Sequence, residues 1–251
     1  MTSVRGARER ARIEVTAAIK EEARRHLAAE GAAKLSLRAV ARELGMVSSA
    51  LYRYFPSRDE LLTALIIDAY DAVGAAAEAA AARPASAAAT GREEPVPHGA
   101  HFLRWSAVCG AVRTWALAHP HEYALIYGSP VPGYSAPTDT VGPASRVGLV
   151  LVGIARDAYL GEGLAVPALS GPMTAEARRI ADDVAPDLPP PVVAALVAAW
   201  AQLFGLLSFE LFGQFDRVVE EREAFFRHAA DRLAVEVGLR PPPGGGSRPR
   251  G

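Results

Sequence analysis

The chain has one cysteine, so Cys109 can form no disulfide within the chain, and the thiol set of a structural zinc site is missing. Strand signals are nearly absent. Ala, Leu, Glu and Arg dominate the long segments, which points away from a sheet and toward an all-α protein. The N-terminus is charged from Arg5 onward and carries no apolar core of a secretory signal, so a cytoplasmic protein is expected. Enzyme motifs are missing too. Gly133-Tyr134-Ser135-Ala136-Pro137 lacks the second glycine of a nucleophile elbow and follows no strand. His119 and His121 are two apart and would face away from each other on a helix, which argues against a metal pair. No catalytic residue, cofactor or metal is therefore expected.

A net excess of either charge is also lacking, but the total of −1 conceals a segregation. Residues 1–58 hold twelve Lys or Arg against six acids, a net +6, which leaves −7 for the rest. A basic head on an acidic body suits a protein that presents one end to a polyanion.

That head contains the most informative stretch of the chain. Leu37, Val40, Ala41 and Leu44 fall at i, i+3, i+4 and i+7, which makes one apolar stripe on a short helix, with Arg38, Arg42 and Glu43 pointing elsewhere. Ser36 is a natural N-cap and Gly45 a natural C-terminal stop. A second short helix follows, with Leu51 and Phe55 at i, i+4. Two short helices joined by a glycine turn make a helix-turn-helix.

The segment from about Arg8 to Tyr70 resembles the N-terminal domain of TetR/AcrR-type transcriptional regulators, most specifically in Leu51-Tyr52-Arg53-Tyr54-Phe55-Pro56-Ser57-Arg58-Asp59-Glu60-Leu61. Family members usually carry Ser or Thr where Val47 stands and often Lys where Ser48 stands, so the recognition helix is expected to begin a residue later. In the C-terminal half, Gly128 to Pro137 and Trp200-Ala201-Gln202-Leu203-Phe204-Gly205 are similar to the ligand-sensing domain of the subgroup named for a Trp-His-Gly motif, with Phe204 where that subgroup tends to have His.

Helices are expected over residues 8–30, from Arg58 into the body, 101–119, 120–127, 147–164, 191–214 and 219–238, with a short one near 175–184. Ser57 to Glu60 reads as a capping box. Arg83 to Gly99 reads as a mobile loop, Gly128 to Pro137 as irregular because three prolines lack amide donors, and 241–251 as a disordered tail. The expected domains are a helix-turn-helix domain at 1–56, a helical effector-binding and dimerisation domain at 57–240, and that tail. Val192 to Phe209 is an eighteen-residue apolar run containing Gln202, of a length that touches the membrane criterion of roughly 17 to 25 residues. Its five alanines and one glycine favour a buried helix over a span, and no membrane partner is expected.

DNA reading is expected from Ser48, Ser49, Tyr52, Arg53 and Tyr54, with Arg53 reading a guanine or holding a phosphate. Ser36 and Ser57 would grip phosphates with their helix N-terminal amides, or simply cap those helices, and Arg38 and Arg58 would add charge. Arg5, Arg8 and Arg10 read equally as a basic arm or a frayed end. His101, Phe102, Trp105, Trp115, Tyr123, Tyr127 and Phe204 are candidates to line an apolar effector pocket, though plain core is the commoner fate of each. Leu206, Phe209, Phe226 and Leu233 are candidates for a four-helix dimer seam. The resemblance implies a one-component repressor, a homodimer on palindromic double-stranded DNA released by a small apolar effector, with coupling of ~1 to 3 kcal/mol. Two rivals stay open: an effector-independent DNA-architectural protein, and a helical carrier or enzyme with a vestigial head.

Overall fold

A computed structural model describes residues 2–82, 99–161 and 163–243, with the side chains of residues 2–5 left aside. The bulk of the expected 83–99 loop and residues 244–251 of the expected tail lie outside the described residues. Ten α-helices are present among those described: α1 (Thr2–Glu30), α2 (Leu37–Glu43), α3 (Ser48–Leu51), α4 (Arg58–Ala82), α5 (Ala100–Ala118), α6 (Pro120–Tyr127), α7 (Val141–Leu160), α8 (Thr174–Val184), α9 (Pro190–Leu211) and α10 (Arg222–Val237). Extended pairing among the described residues is limited to a bridge between Leu164 and Leu239. The all-α expectation holds, and most helices begin and end within a few residues of their expected bounds. Pro120 occupies the first turn of α6, where its missing amide costs nothing, and α7 starts earlier than expected, with Pro143 tolerated in its first turn.

Contacts divide the chain into two compact units that are not continuous in sequence. The first comprises Met1–Ala72 and His119–Ala144, the second Val73–Ala118 and Ser145–Gly251. This division differs in kind from a boundary at residue 56, because α6 and the irregular stretch after it belong with the head.

In the first unit, Ile19, Ala23 and Leu27 of α1 meet Leu37, Val40 and Ala41 of α2, Leu51 of α3, Phe55, and Leu61, Leu62 and Leu65 of α4. Gly31, with φ +79, ends α1 in a conformation that a β-carbon would disfavour. In the second unit, α5 packs on α9 and α10, and α8 packs on α9. Trp105, Val108, Cys109 and Val112 of α5 are fully buried, as are Ile154 of α7, Leu203 and Leu207 of α9, and Val237 of α10. Burial pushes the Cys109 thiol far above its ordinary range, consistent with an inert core side chain. The turn after α10 is closed by Ala165 N–H donating to Gly238 O at 2.8 Å and Arg240 N–H to Gly163 O at 3.1 Å.

Candidate nucleic-acid interface

The helix-turn-helix is assembled by local chemistry. Ser36 Oγ accepts from Ala39 N–H at 3.4 Å and so caps α2. At the other end Gly45, with φ +64, lets Met46 N–H reach Ala41 O at 2.8 Å while Gly45 N–H reaches Arg42 O at 3.0 Å. These two bonds are the Schellman closure, and they turn the chain toward α3. Val47 stands at the N-cap of α3, offers no side-chain bond there and is 69% exposed. The helix nevertheless starts at Ser48 with Val47 itself in the cap position, so the later start expected from the departure at Val47 does not occur; what is lost is the side-chain cap. Tyr52 N–H donates to Ser48 O at 3.1 Å and Phe55 N–H to Leu51 O at 3.1 Å, which continues the coil to Phe55.

Leu51 and Phe55 are buried, which fixes what the opposite side presents. Ser49, Tyr52 and Arg53 are exposed and Ser48 is half-buried. Tyr54 is half-buried against the head core, so its ring serves packing as well. Arg38 is exposed on α2, and Arg8, Arg10 and Arg12 are exposed on α1; the side chain of Arg5 is outside the described residues.

Ser57 Oγ accepts from Glu60 N–H at 3.1 Å and caps α4. Arg58 has a second occupation that the sequence did not signal. Its guanidinium donates to the carbonyls of Ala32 at 2.9 Å, Ala33 at 3.2 Å and Leu35 at 3.2 Å, so it ties the start of α4 to the turn before α2. The carbonyls after a helix are orphan acceptors, and a planar five-donor cation satisfies several at once.

The aromatic candidates divide between the units. Tyr123 and Tyr127 belong to the first, where the Tyr127 ring lies 5.1 Å from that of Tyr123 and 5.9 Å, edge-on, from that of Tyr70. Burial pushes the phenols of Tyr70 and Tyr127 up, so both stay protonated donors. Phe102, Trp105, Trp115 and Phe204 belong to the second unit and are buried. Trp105 Nε1 donates to Ala230 O at 3.1 Å, which ties α5 to α10. His101, also in the second unit, has a buried Nδ1 without a hydrogen-bond partner. Its pKa is lowered, first by burial and then by Arg104, with Asp157 opposing.

The dimer candidates separate as well. Leu206 and the 53%-exposed Phe209 line an open groove of about 590 Å³ on α9 and α10, together with Phe215, Phe225, Ala229 and Leu233. Phe226 is corrected: it is buried within the chain, its ring under the Arg113 guanidinium at 5.5 Å, and Leu233 is buried apart from the edge it lends the groove. The last helix therefore does bury most of its expected stripe in one subunit. Besides Phe209, the aromatic side chains of Phe225, Phe212 and Trp200 are exposed, none of which was a candidate for the seam. The adjacent Phe225-Phe226 pair was the available signal, since neighbours on a helix cannot share a face. By length and composition α9 could cross a membrane, but a core or interface helix passes the same test, and part of it is buried here.

Comparison with known proteins places this geometry. Residues 19–65 match the model described as bacterial regulatory proteins, tetR family, and residues 105–233 match that of the tetracyclin repressor-like C-terminal domain. The HTH-type transcriptional regulators Rv1816 of Mycobacterium tuberculosis (strain ATCC 25618 / H37Rv) and Mb1846 of Mycobacterium bovis are each 41% identical over 239 residues, covering 92% of this chain and 95% of theirs. The crystal structure of SCO4313 aligns with a TM-score of 0.69 at 33% identity, over 90% of this chain and 97% of that one. The TetR family regulator PfmR from Thermus thermophilus shares the fold at a TM-score of 0.51 and 17% identity, over 86% of this chain and 96% of that one.

Proposed function

The chain belongs to the TetR family of transcriptional regulators, and from that premise we propose that it is a repressor that binds palindromic operator DNA as a homodimer and is released by a small apolar effector. The observation that carries the DNA part is the polar face of α3. With Leu51 and Phe55 buried, Ser49, Tyr52 and Arg53 are turned to solvent on a head that is net basic. Hydroxyls and amide-rich helix starts at Ser36, Ser48 and Ser57 grip phosphates, Arg38 adds charge, and Arg53 reads a base edge. Arg58 contributes through the fold, since its Nε and Nη2 donate to carbonyls and its Nη1 faces Asp59 at 3.6 Å.

A second copy supplies the cover for the α9–α10 groove. An apolar groove with the exposed aromatic side chains of Phe209 and Phe225 is unfavourable in water, and the Arg232–Glu236 pair lines it as well; Trp200 and Phe212 add further exposed aromatic surface. A two-fold seam then places two heads on one palindrome. The buried aromatics of the second unit, Phe102, Trp105, Trp115 and Phe204 with His101, form the sensor core, and Tyr123 and Tyr127 are the sensing candidates of the first. The effector acts by preferring the released conformation, and coupling is reciprocal. The double-stranded DNA partner implies a cytoplasmic location.

Selecting bound fragments from genomic DNA tests the reading. An inverted repeat protected by two chains, with affinity falling steeply with salt, is the expected result. Binding of the same strength to all sequences would favour the architectural rival, and no salt-dependent binding at all would favour the carrier.

A further inference from the structure

Residues 120–137 lie within the span of the C-terminal family model yet are packed in the first unit, against the helix-turn-helix core. Leu125, Val131 and Tyr134 sit on that core, whose central residues Leu51, Leu61 and Leu62 are fully buried. The attachments are polar and specific. Tyr134 Oη lies 2.9 Å from Thr63 Oγ1 on α4, and Tyr70 Oη donates to Ile126 O at 3.4 Å. Arg24 of α1 holds Asp68 of α4 at 2.8 Å and Glu122 of α6 at 3.0 Å, and Lys20 holds the other Asp68 oxygen at 2.8 Å. These side chains are 19 to 29% exposed, so they are screened less than surface pairs. Gly133, with φ +77, and a turn from Tyr134 N–H to Val131 O give the stretch a fixed shape. Each of these polar tethers lands on α1 or α4, the two helices that frame α2 and α3.

We propose that residues 120–137 are a strap that holds α1 and α4 in the arrangement in which α3 meets DNA, with Tyr134 and Glu122 as positioning residues. The inference rests on the DNA-binding reading above. A head with its strap loosened samples more arrangements, and affinity falls with the fraction that remains competent.

The test uses the full chain and the fragment it selects from genomic DNA. Tyr134→Phe and Thr63→Val remove the two ends of one hydrogen bond, and Glu122→Gln weakens the α1–α6 pair. Each should lower operator affinity by about two- to tenfold, the size expected for one such bond. In the double variant Tyr134→Phe/Thr63→Val the losses should be non-additive, because the second change removes nothing further. Amide exchange over residues 58–70 should quicken in the variants without DNA, at a temperature where all remain folded. If the wild type binds its operator and the folded variants bind equally well or better, or if the two losses simply add, the strap is overturned while DNA binding stands. If the wild type binds no DNA, both readings fall together.

Discussion

Arg113 of α5 grips Glu210 of α9 through two parallel hydrogen bonds, Nε to Oε2 at 2.9 Å and Nη2 to Oε1 at 2.6 Å. Both side chains are largely withdrawn from water, at 16% and 5% exposure, and the Glu210 carboxylate raises the Arg113 pKa. The same guanidinium lies over Phe226, so one ion pair ties α5, α9 and α10 together. A bidentate pair of this kind specifies one register of the three helices, because any slip leaves two buried charges unpaired.

Glu210→Ala should therefore destabilise the chain by about 3–5 kcal/mol, since it strands the Arg113 charge. Replacing both partners, as Arg113→Met/Glu210→Leu, should recover most of the loss. Urea denaturation at one fixed chain concentration checks this; a double variant as unstable as the single one would mean that the pair itself supplies the stability.

Arg53→Ala should weaken operator binding by ~1 to 3 kcal/mol and relax preference at one base position, with thermal stability unchanged. Arg58→Ala should lower the melting temperature as well, because three carbonyls lose their donor. Competition binding on a panel of single-base operator variants separates the two, and an unaltered preference in Arg53→Ala would refute base reading.

Leu206→Glu and Phe209→Glu should convert a sedimenting dimer to a folded monomer, because they place charge in an apolar groove. Phe226→Ala should instead destabilise the chain itself by roughly 3–5 kcal/mol through a core cavity. A wild type that sediments as a monomer at micromolar concentration would remove the seam and the palindrome with it.

His101 imposes a pH dependence of definite sign. Its folded-state pKa lies below the ordinary 6.5, so the unfolded chain takes up the proton first as pH falls. Stability is complete above about pH 6.5 and declines below it until the lowered folded pKa is reached. Denaturant midpoints at about pH 5 and pH 7 should differ more in the wild type than in His101→Phe; equal differences would place the titration elsewhere.

The helices and the helix-turn-helix were legible because their signals are local. Periodicity chose the buried faces of α2, a serine capped it, Gly45 turned the chain, and Pro120 and Gly128 bounded α6. The exposed set on α3 followed from burying Leu51 and Phe55. Partners across the chain were not legible, because a stripe says that a face is covered and not by what. Only the tertiary structure decided that Arg58 clamps the carbonyls of Ala32, Ala33 and Leu35, that Tyr134 reaches Thr63, and that Tyr123 and Tyr127 lie with the head and not with Trp105. It also decided between Phe225 and Phe226. Both are apolar and adjacent, and a rotation of about 100° per residue puts one in the core and the other on the groove.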